Sequence, residues 1–198
     1  MGFSLKELDS LKGVKNRADY AQKHLRRLGY GSARIAYDIG DKVLKVARSD
    51  AGIEQNKAEV LSGYDKYPLF AKIYEYGDDF GWLTMEKAKP LTEGAFERTI
   101  RAKWNEILLL LEYMDNGKGN DKFYDLCVYG QDKDFNKTLG YDFFNSIIEW
   151  FEEEEPEREV WEDLDVEENW GWATRNGRRF PVVIDYGTTK DTMERFYK

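Results

Sequence analysis

The sequence holds a single cysteine, Cys127, and a single histidine, His24. One cysteine excludes an internal disulfide, so nothing marks the chain for an oxidising compartment. His24 stands far from Cys127, among Lys23, Arg26 and Arg27. Neither a Cys/His catalytic pair nor a His/Cys metal site is therefore expected, and Cys127 reads as a small core residue. Long apolar runs are also missing. The longest, Ile107-Leu-Leu-Leu-Leu111, falls well short of the ~18–20 residues that a membrane-spanning helix needs. The N-terminus lacks the apolar block and small-residue cleavage site of a secretory signal, and the expected location is cytoplasmic.

Positive charge is the remaining shortage. With 30 Lys and Arg against 38 Asp and Glu, the net charge is −8, which argues against generic binding to nucleic-acid backbones, since that calls for a basic face. The acid is unevenly placed: Glu149 to Glu168 contains twelve Asp or Glu with Arg158 as its only base, whereas Lys12 to Arg34 is basic. Such a block reads first as a solvated face or loop, with docking onto a partner of basic surface as the alternative. What the chain does have is charge (34%) together with aromatics (15%), the ingredients of a folded protein with a polar exterior. Its 198 residues suffice for one good-sized core or two small lobes.

The stretch Leu28-Gly-Tyr-Gly-Ser-Ala-Arg-Ile-Ala-Tyr37, followed by Lys42-Val-Leu-Lys45-Val-Ala47, reads as strand, glycine turn, strand, turn, strand. Gly29 and Gly31 let the backbone approach an anion closely, and Lys45 stands in an apolar run where a lone ammonium is costly. Fourteen residues on, Glu59 lies in a helical segment and supplies a carboxylate, leaving the ammonium to bridge it and a nucleotide phosphate. Alone, Gly-x-Gly is an ordinary turn and Glu59 an ordinary surface residue; their order around Lys45 gives them weight.

Along the chain, Ser4-Leu-Lys-Glu7 fits a capping box for a short helix that Gly13 stops, and a second helix is expected over about 16–27. Strands follow over 32–39 and 42–48, then a helix capped by Asp50 and running to Ser62, then a hairpin of 70–76 and 82–85 across Gly77 to Gly81. Pro90 breaks the strand pattern. Residues 93–115 read as the longest helix, 116–139 as an insertion with one short helix, and 141–152 as a helix ended by Pro156. A last hairpin, Trp170–Ala173 and Arg179–Ile184, has Asn176-Gly177 near its tip.

In this order, from the glycine loop through Lys45, Glu59, the strand ending at Met85-Glu86, and Asn169 to Val182-Val-Ile-Asp185-Tyr-Gly187, the chain resembles the protein-kinase-like superfamily. The likeness is greatest to its small bacteriophage-encoded serine/threonine kinase members and runs over about residues 28–190. It implies an α+β, bilobal protein-kinase-like fold: residues 1–27 as a helical extension, 28–88 as a small antiparallel-sheet N-lobe, 89–198 as a reduced helical C-lobe. It further implies ATP and magnesium as cofactors, with Gly29, Gly31 and Lys45 around the nucleotide. Met85 would lie at the back of the pocket, and Glu86-Lys87-Ala88 would be the hinge whose backbone meets adenine. Asn169 and Asp185 would be the metal ligands, for magnesium prefers one or two such oxygen ligands plus phosphate oxygens.

One register departs from the family. Kinases place the Asp that accepts the substrate hydroxyl proton five residues before the metal-binding Asn, but here that position is Leu164, with Asp163 and Asp165 to either side. Either the loop bulges by one residue and Asp163 serves, or the base has gone. The tail after Gly187 is short, so the activation segment and later helices of a full-size kinase are not expected, and substrate choice falls to 116–139, the acidic run or a partner. The expected activity is ATP- and Mg-dependent phosphotransfer to Ser or Thr of host proteins. A small-molecule kinase or AMP transfer stays open. The alternatives are a pseudokinase that inhibits or scaffolds a partner through its acidic surface, and an acidic decoy for a nucleic-acid site.

Overall fold

The computed structural model describes residues 2–130 and 132–197. It is an α+β protein that divides into two compact units. One comprises Met1–Gly63, Lys72–Lys87 and Gly187–Lys198, the other Tyr64–Ala71 and Ala88–Tyr186.

The first unit opens with helices α1 (Leu5–Ser10) and α2 (Val14–His24). Ser4 caps α1 as its sequence motif suggests, its side chain accepting from Glu7 N–H. The second helix ends at His24 rather than at 27, because Arg26–Tyr30 is already strand β1; β2 (Arg34–Asp38), β3 (Lys42–Ala47), α3 (Asp50–Ser62), β4 (Ile73–Tyr76) and β5 (Trp82–Glu86) follow. Ser49, not Asp50, occupies the cap position of α3, and Asp50 falls in the first turn, where it favours the positive end of the helix dipole. The antiparallel sheet has the order β1-β2-β3-β5-β4.

Period-two alternation decides what each sheet face carries. Ile35 and Tyr37 of β2, Leu44 and Val46 of β3, and Trp82 form one buried cluster with Leu8 of α1 and Ala21 of α2. The N-terminal helices are thus part of this unit's core rather than an appended extension. Arg17 of α2 fastens them. Its buried guanidinium donates to Asp79 at 2.7 and 2.8 Å and to the carbonyls of Leu8 and Asp9, while Trp82 Nε1 donates to Asp9.

The second unit contains β6 (Lys89–Pro90), α4 (Glu93–Ile100), α5 (Glu106–Asn116), α6 (Lys122–Val128), α7 (Leu139–Glu154), α8 (Arg158–Glu162), β7 (Trp170–Arg175) and β8 (Arg178–Val183). The single helix expected over 93–115 is broken at Arg101, which takes a left-handed φ of 64° and caps α4. Periodicity does not reveal the break, because apolar positions on both sides enter one core: Phe96, Ile100, Ile107 and Leu111 are all buried. Its aromatics interlock, with Phe96 against Phe143, Trp104 against Trp170 and Phe123 stacked on Phe144 at 3.9 Å. Cys127 belongs to this packing; burial pushes its thiol up to about 12. The stretch 116–139 holds α6 and a 3-10 turn at Phe135–Lys137, with Gln131 outside the described residues. Strands β6, β7 and β8 form a second sheet, and Asn176 and Gly177 turn its hairpin with φ of 50° and 76°.

The tail is not structureless. Thr189 caps a helix α9 (Lys190–Phe196) that belongs to the first unit and packs on α3, where Arg195 lies 3.6 Å from Glu54 and Tyr197 Oη 3.3 Å from Gln55. Among the described residues no helix is long and apolar enough to cross a membrane.

Candidate functional site

In the first unit, Leu44 and Val46 face the N-terminal helices, so the pleat turns Lys45 to the other face of β3, against α3. There Lys45 Nζ meets Glu59 Oε1 at 2.8 Å. The same oxygen receives Arg34 Nη1 at 2.9 Å. All three are buried, at 6, 7 and 0% exposure for Lys45, Arg34 and Glu59. Asn56, three residues before Glu59 on α3, accepts from Arg34 at 3.3 Å and donates to Phe80 O at 2.8 Å, so a hydrogen-bonded frame holds the carboxylate in place.

The spacing of Lys45 and Glu59 in the sequence foreshadows their pairing; the third member, Arg34, is not evident from spacing. A signal was available: on β2 Arg34 shares the parity of Ala36, which pairs with Lys45, not that of Ile35 and Tyr37. A charged residue on the inward parity of a buried strand needs a partner.

Gly29 lies inside β1, opposite Ala36 and beside a bulge at Leu28, and Gly31 N–H donates to Arg34 O at 2.9 Å. Neither has positive φ. A Cβ would lie 3.8 Å from Ala36 Cβ at Gly29 and 3.4 Å from Arg34 O at Gly31. The fold itself therefore does not demand glycine at either place. Gly52 is the opposite case, since its Cβ would stand 2.2 Å from Ala33 O, and this absence lets α3 press on the 31–33 turn. Arg48 pins the same turn through its N–H to Ala33 O and its guanidinium to Gly31 O.

Met85 is buried near the end of β5 and Glu86 N–H donates to Lys72 O. Lys87 Nζ donates to Asp38 Oδ1 at 2.6 Å and to Gly40 O at 2.8 Å. With Lys87 first and Arg26 second on its carboxylate, Asp38 is held well below the usual carboxylate range. The middle segment of the first unit ends at Lys87, and Ala88, last of the three expected hinge residues, belongs to the second unit. There it lies against Gly171, whose Cβ would come 2.5 Å from Ala88 Cβ.

The second unit brings Asn169 and Asp185 to neighbouring positions. The β7–β8 ladder pairs Trp170 with Val183 and is extended by Ile184 N–H donating to Asn169 O at 2.7 Å. Asp185 comes next, between two anchors: Val183, bonded to Leu69 and Ala71, and Tyr186, buried against Phe70 with ring centroids 4.8 Å apart. Residues 163–169 form two 3-10 turns, Asp163–Asp165 and Glu167–Asn169. Across them Asn169 Nδ2 donates to Asp163 O at 3.0 Å. Leu164 is fully buried, and its carbonyl accepts from Trp170 Nε1 at 2.8 Å. Asp165 is exposed; its carboxyl is pushed up by partial desolvation and then by the charge of Glu112.

No protein family, curated protein or solved structure matches the chain. The chemistry must be read from the groups themselves.

Asn169 donates its amide nitrogen to Asp163 O, so its amide oxygen is the atom that could meet a cation, and Asp185 could offer a carboxylate beside it. Two hard oxygen donors suit magnesium, which takes its remaining ligands from phosphate and water. Among the described residues no group of three or more His, Cys, Asp or Glu forms a cage for a metal, so an ion held by protein side chains alone is not what this donor set fits.

Proposed function

We propose that the chain is a compact ATP- and magnesium-dependent phosphotransferase of the protein-kinase-like kind, bilobal in architecture and acting on Ser or Thr of proteins, those of a bacterial host in the phage-like reading. The observation that carries the proposal is the buried Lys45–Glu59 pair, an ammonium on an inward strand position held by a carboxylate from the following helix at 2.8 Å. A buried ion pair is a costly way to join a helix to a sheet, and it repays that cost where the lysine must present a fixed charge to a phosphate.

In this reading Lys45 binds phosphate oxygen, Glu59 orients Lys45, and Gly29 and Gly31 give the backbone room to approach. Asn169 and Asp185 would hold the metal, and Asp163 takes up the hydroxyl proton. ATP bound with magnesium would supply the transferable phosphoryl group and neutralise the charge of its departure. The residues needed are few because catalysis in this class is mostly positioning and charge stabilisation.

The test is incubation of the protein with γ-labelled ATP, Mg²⁺ and a bacterial lysate, beside Asp185→Ala and Lys45→Met. Each unit contributes one of these residues, so loss of labelling in both variants requires the two sets of groups to serve one reaction. The second reading, a nucleotide-binding pseudokinase that docks through its acidic surface, is favoured by Leu164, which fills the register of the proton acceptor with a core side chain. Absence of labelling with nucleotide binding intact supports it.

A further inference from the structure

Where α4 gives way to α5, an open hollow in the second unit is lined by Glu97, Arg98, Arg101, Lys103, Glu106 and Lys122. Glu106 is already engaged: it accepts from Lys103 N–H at 2.7 Å and lies 3.7 Å from Lys122 Nζ. The side chains of Arg98, Arg101 and Lys103 are exposed and make no ion pair among the described residues. In a chain with an excess of eight negative charges, this hollow has the opposite balance, with Arg98, Arg101, Lys103 and Lys122 against Glu97 and Glu106.

Arg101 supplies a second, independent observation. It caps α4 in the left-handed conformation, φ 64°, with its N–H on Glu97 O, a position where glycine is strongly favoured. An arginine rather than a glycine at a strained site points to a use for its side chain. The hollow also adjoins the candidate catalytic segment, for Lys103 precedes Trp104, whose indole donates to Asp165 O at 3.2 Å.

We infer that this hollow is a docking site for an acidic stretch of polypeptide; on the reading above, which this inference extends, the stretch belongs to the protein substrate. Arginine forks meet carboxylates singly and in bidentate fashion, which suits acidic side chains spaced along a flexible chain. A nucleic-acid backbone would present a regular phosphate ladder to a surface where Glu97 and Glu106 stand among the cations, and it favours an unbroken basic stripe.

The experiment measures binding of the full chain to a fluorescent Glu-rich peptide carrying one Ser, by anisotropy at about 0.1 M salt and without nucleotide. The same peptide with Gln for every Glu is the control, and a DNA duplex is the competing polyanion. The Glu peptide should bind and the Gln peptide should not, and joint replacement Arg98→Ala, Arg101→Gly and Lys103→Ala should weaken binding about tenfold. Arg101→Gly alone should weaken binding while raising Tm by about 2 °C, because the cap is relieved. Unchanged affinity in the triple variant overturns the proposal. So does DNA binding as tightly through the same residues, or self-association of the native chain that the triple variant abolishes, which would assign the hollow to the acidic run of a second copy. As no nucleotide is present, a failed phosphotransfer reading leaves this result untouched.

Discussion

Arg34 and Lys45, on adjacent strands, end on one oxygen of Glu59, at 2.9 and 2.8 Å. The carboxylate comes from α3, so this single atom ties helix to sheet through two buried cations. The arrangement sets an order of mutational cost that differs from that of a simple pair.

Removing Glu59 leaves two buried cations beside each other, and Glu59→Ala should cost about 3–5 kcal/mol. Arg34→Met keeps the Lys45–Glu59 pair and fills the space with an apolar chain, so its cost should be about 1–2 kcal/mol. Chemical denaturation of the two variants checks the ordering. Equal costs would mean that the triad does not hold α3 in place.

The glycines separate fold from ligand. Gly29→Ala and Gly31→Ala make only ordinary contacts, at 3.8 and 3.4 Å, and should change stability by less than about 1 kcal/mol. Gly52→Ala, facing Ala33 O at 2.2 Å, and Gly171→Ala, facing Ala88 Cβ at 2.5 Å, should each cost about 1–3 kcal/mol or more. If Gly29 and Gly31 serve a phosphate, their alanine variants should lose affinity for Mg²⁺·ATP while melting as the native protein does. Unchanged nucleotide affinity would reduce the pair to an ordinary hairpin.

What could be read from the sequence was what strand alternation and turn chemistry control locally. The parity of Lys45, the Asn176-Gly177 hairpin and the span of α3 all follow from spacing alone. The break at Arg101 was hidden because an arginine in left-handed conformation leaves no compositional trace, unlike the Gly that normally marks a helix end. Helix α2 stops at His24 because Arg26 pairs with Asp38 across the sheet, a non-local contact that local propensity does not encode. Arg34 is half legible for a related reason: its inward parity shows that it needs a partner, but the partner is Glu59 only because the packing of α3 brings that carboxylate to it. The kinase-like reading of these groups rests on their order and local geometry together.

Two carboxylates should respond to pH with opposite signs. Asp38 is held down by Lys87 and then Arg26, so its ionisation favours the fold: the contribution is present above the unfolded value of about 3.9 and is lost as pH falls through the lower folded value. Asp165 is pushed up by desolvation and then by Glu112, so its ionisation opposes the fold, and stability declines as pH rises from the unfolded value through the folded one. Asp165→Asn should therefore raise Tm at neutral pH and leave it unchanged well below the carboxylate range, whereas Asp38→Asn should lower Tm at neutral pH. Thermal melts across the acid range decide, and a destabilising Asp165→Asn at neutral pH would contradict the sign.

The proton acceptor is the sharpest test of the proposed chemistry. Leu164, five residues before Asn169, is committed to the core, with its carbonyl on Trp170 Nε1, so the register that protein kinases use supplies no base here. Of its neighbours, Asp163 is tied to the metal-ligand candidate, since its carbonyl accepts from Asn169 Nδ2 at 3.0 Å. Asp165 is tied elsewhere, its carbonyl on Trp104 Nε1 and its carboxylate in the field of Glu112. Asp163 is therefore the expected acceptor. Asp163→Asn should lower phosphotransfer to an acidic Ser peptide by about 10²–10⁴-fold, the usual worth of a positioned general base, with Mg²⁺·ATP affinity unchanged. Asp165→Asn should keep native activity. Loss with Asp165→Asn alone moves the role two residues along the chain, and full activity in both variants removes a carboxylate base from the mechanism, leaving metal and phosphate positioning to carry the reaction.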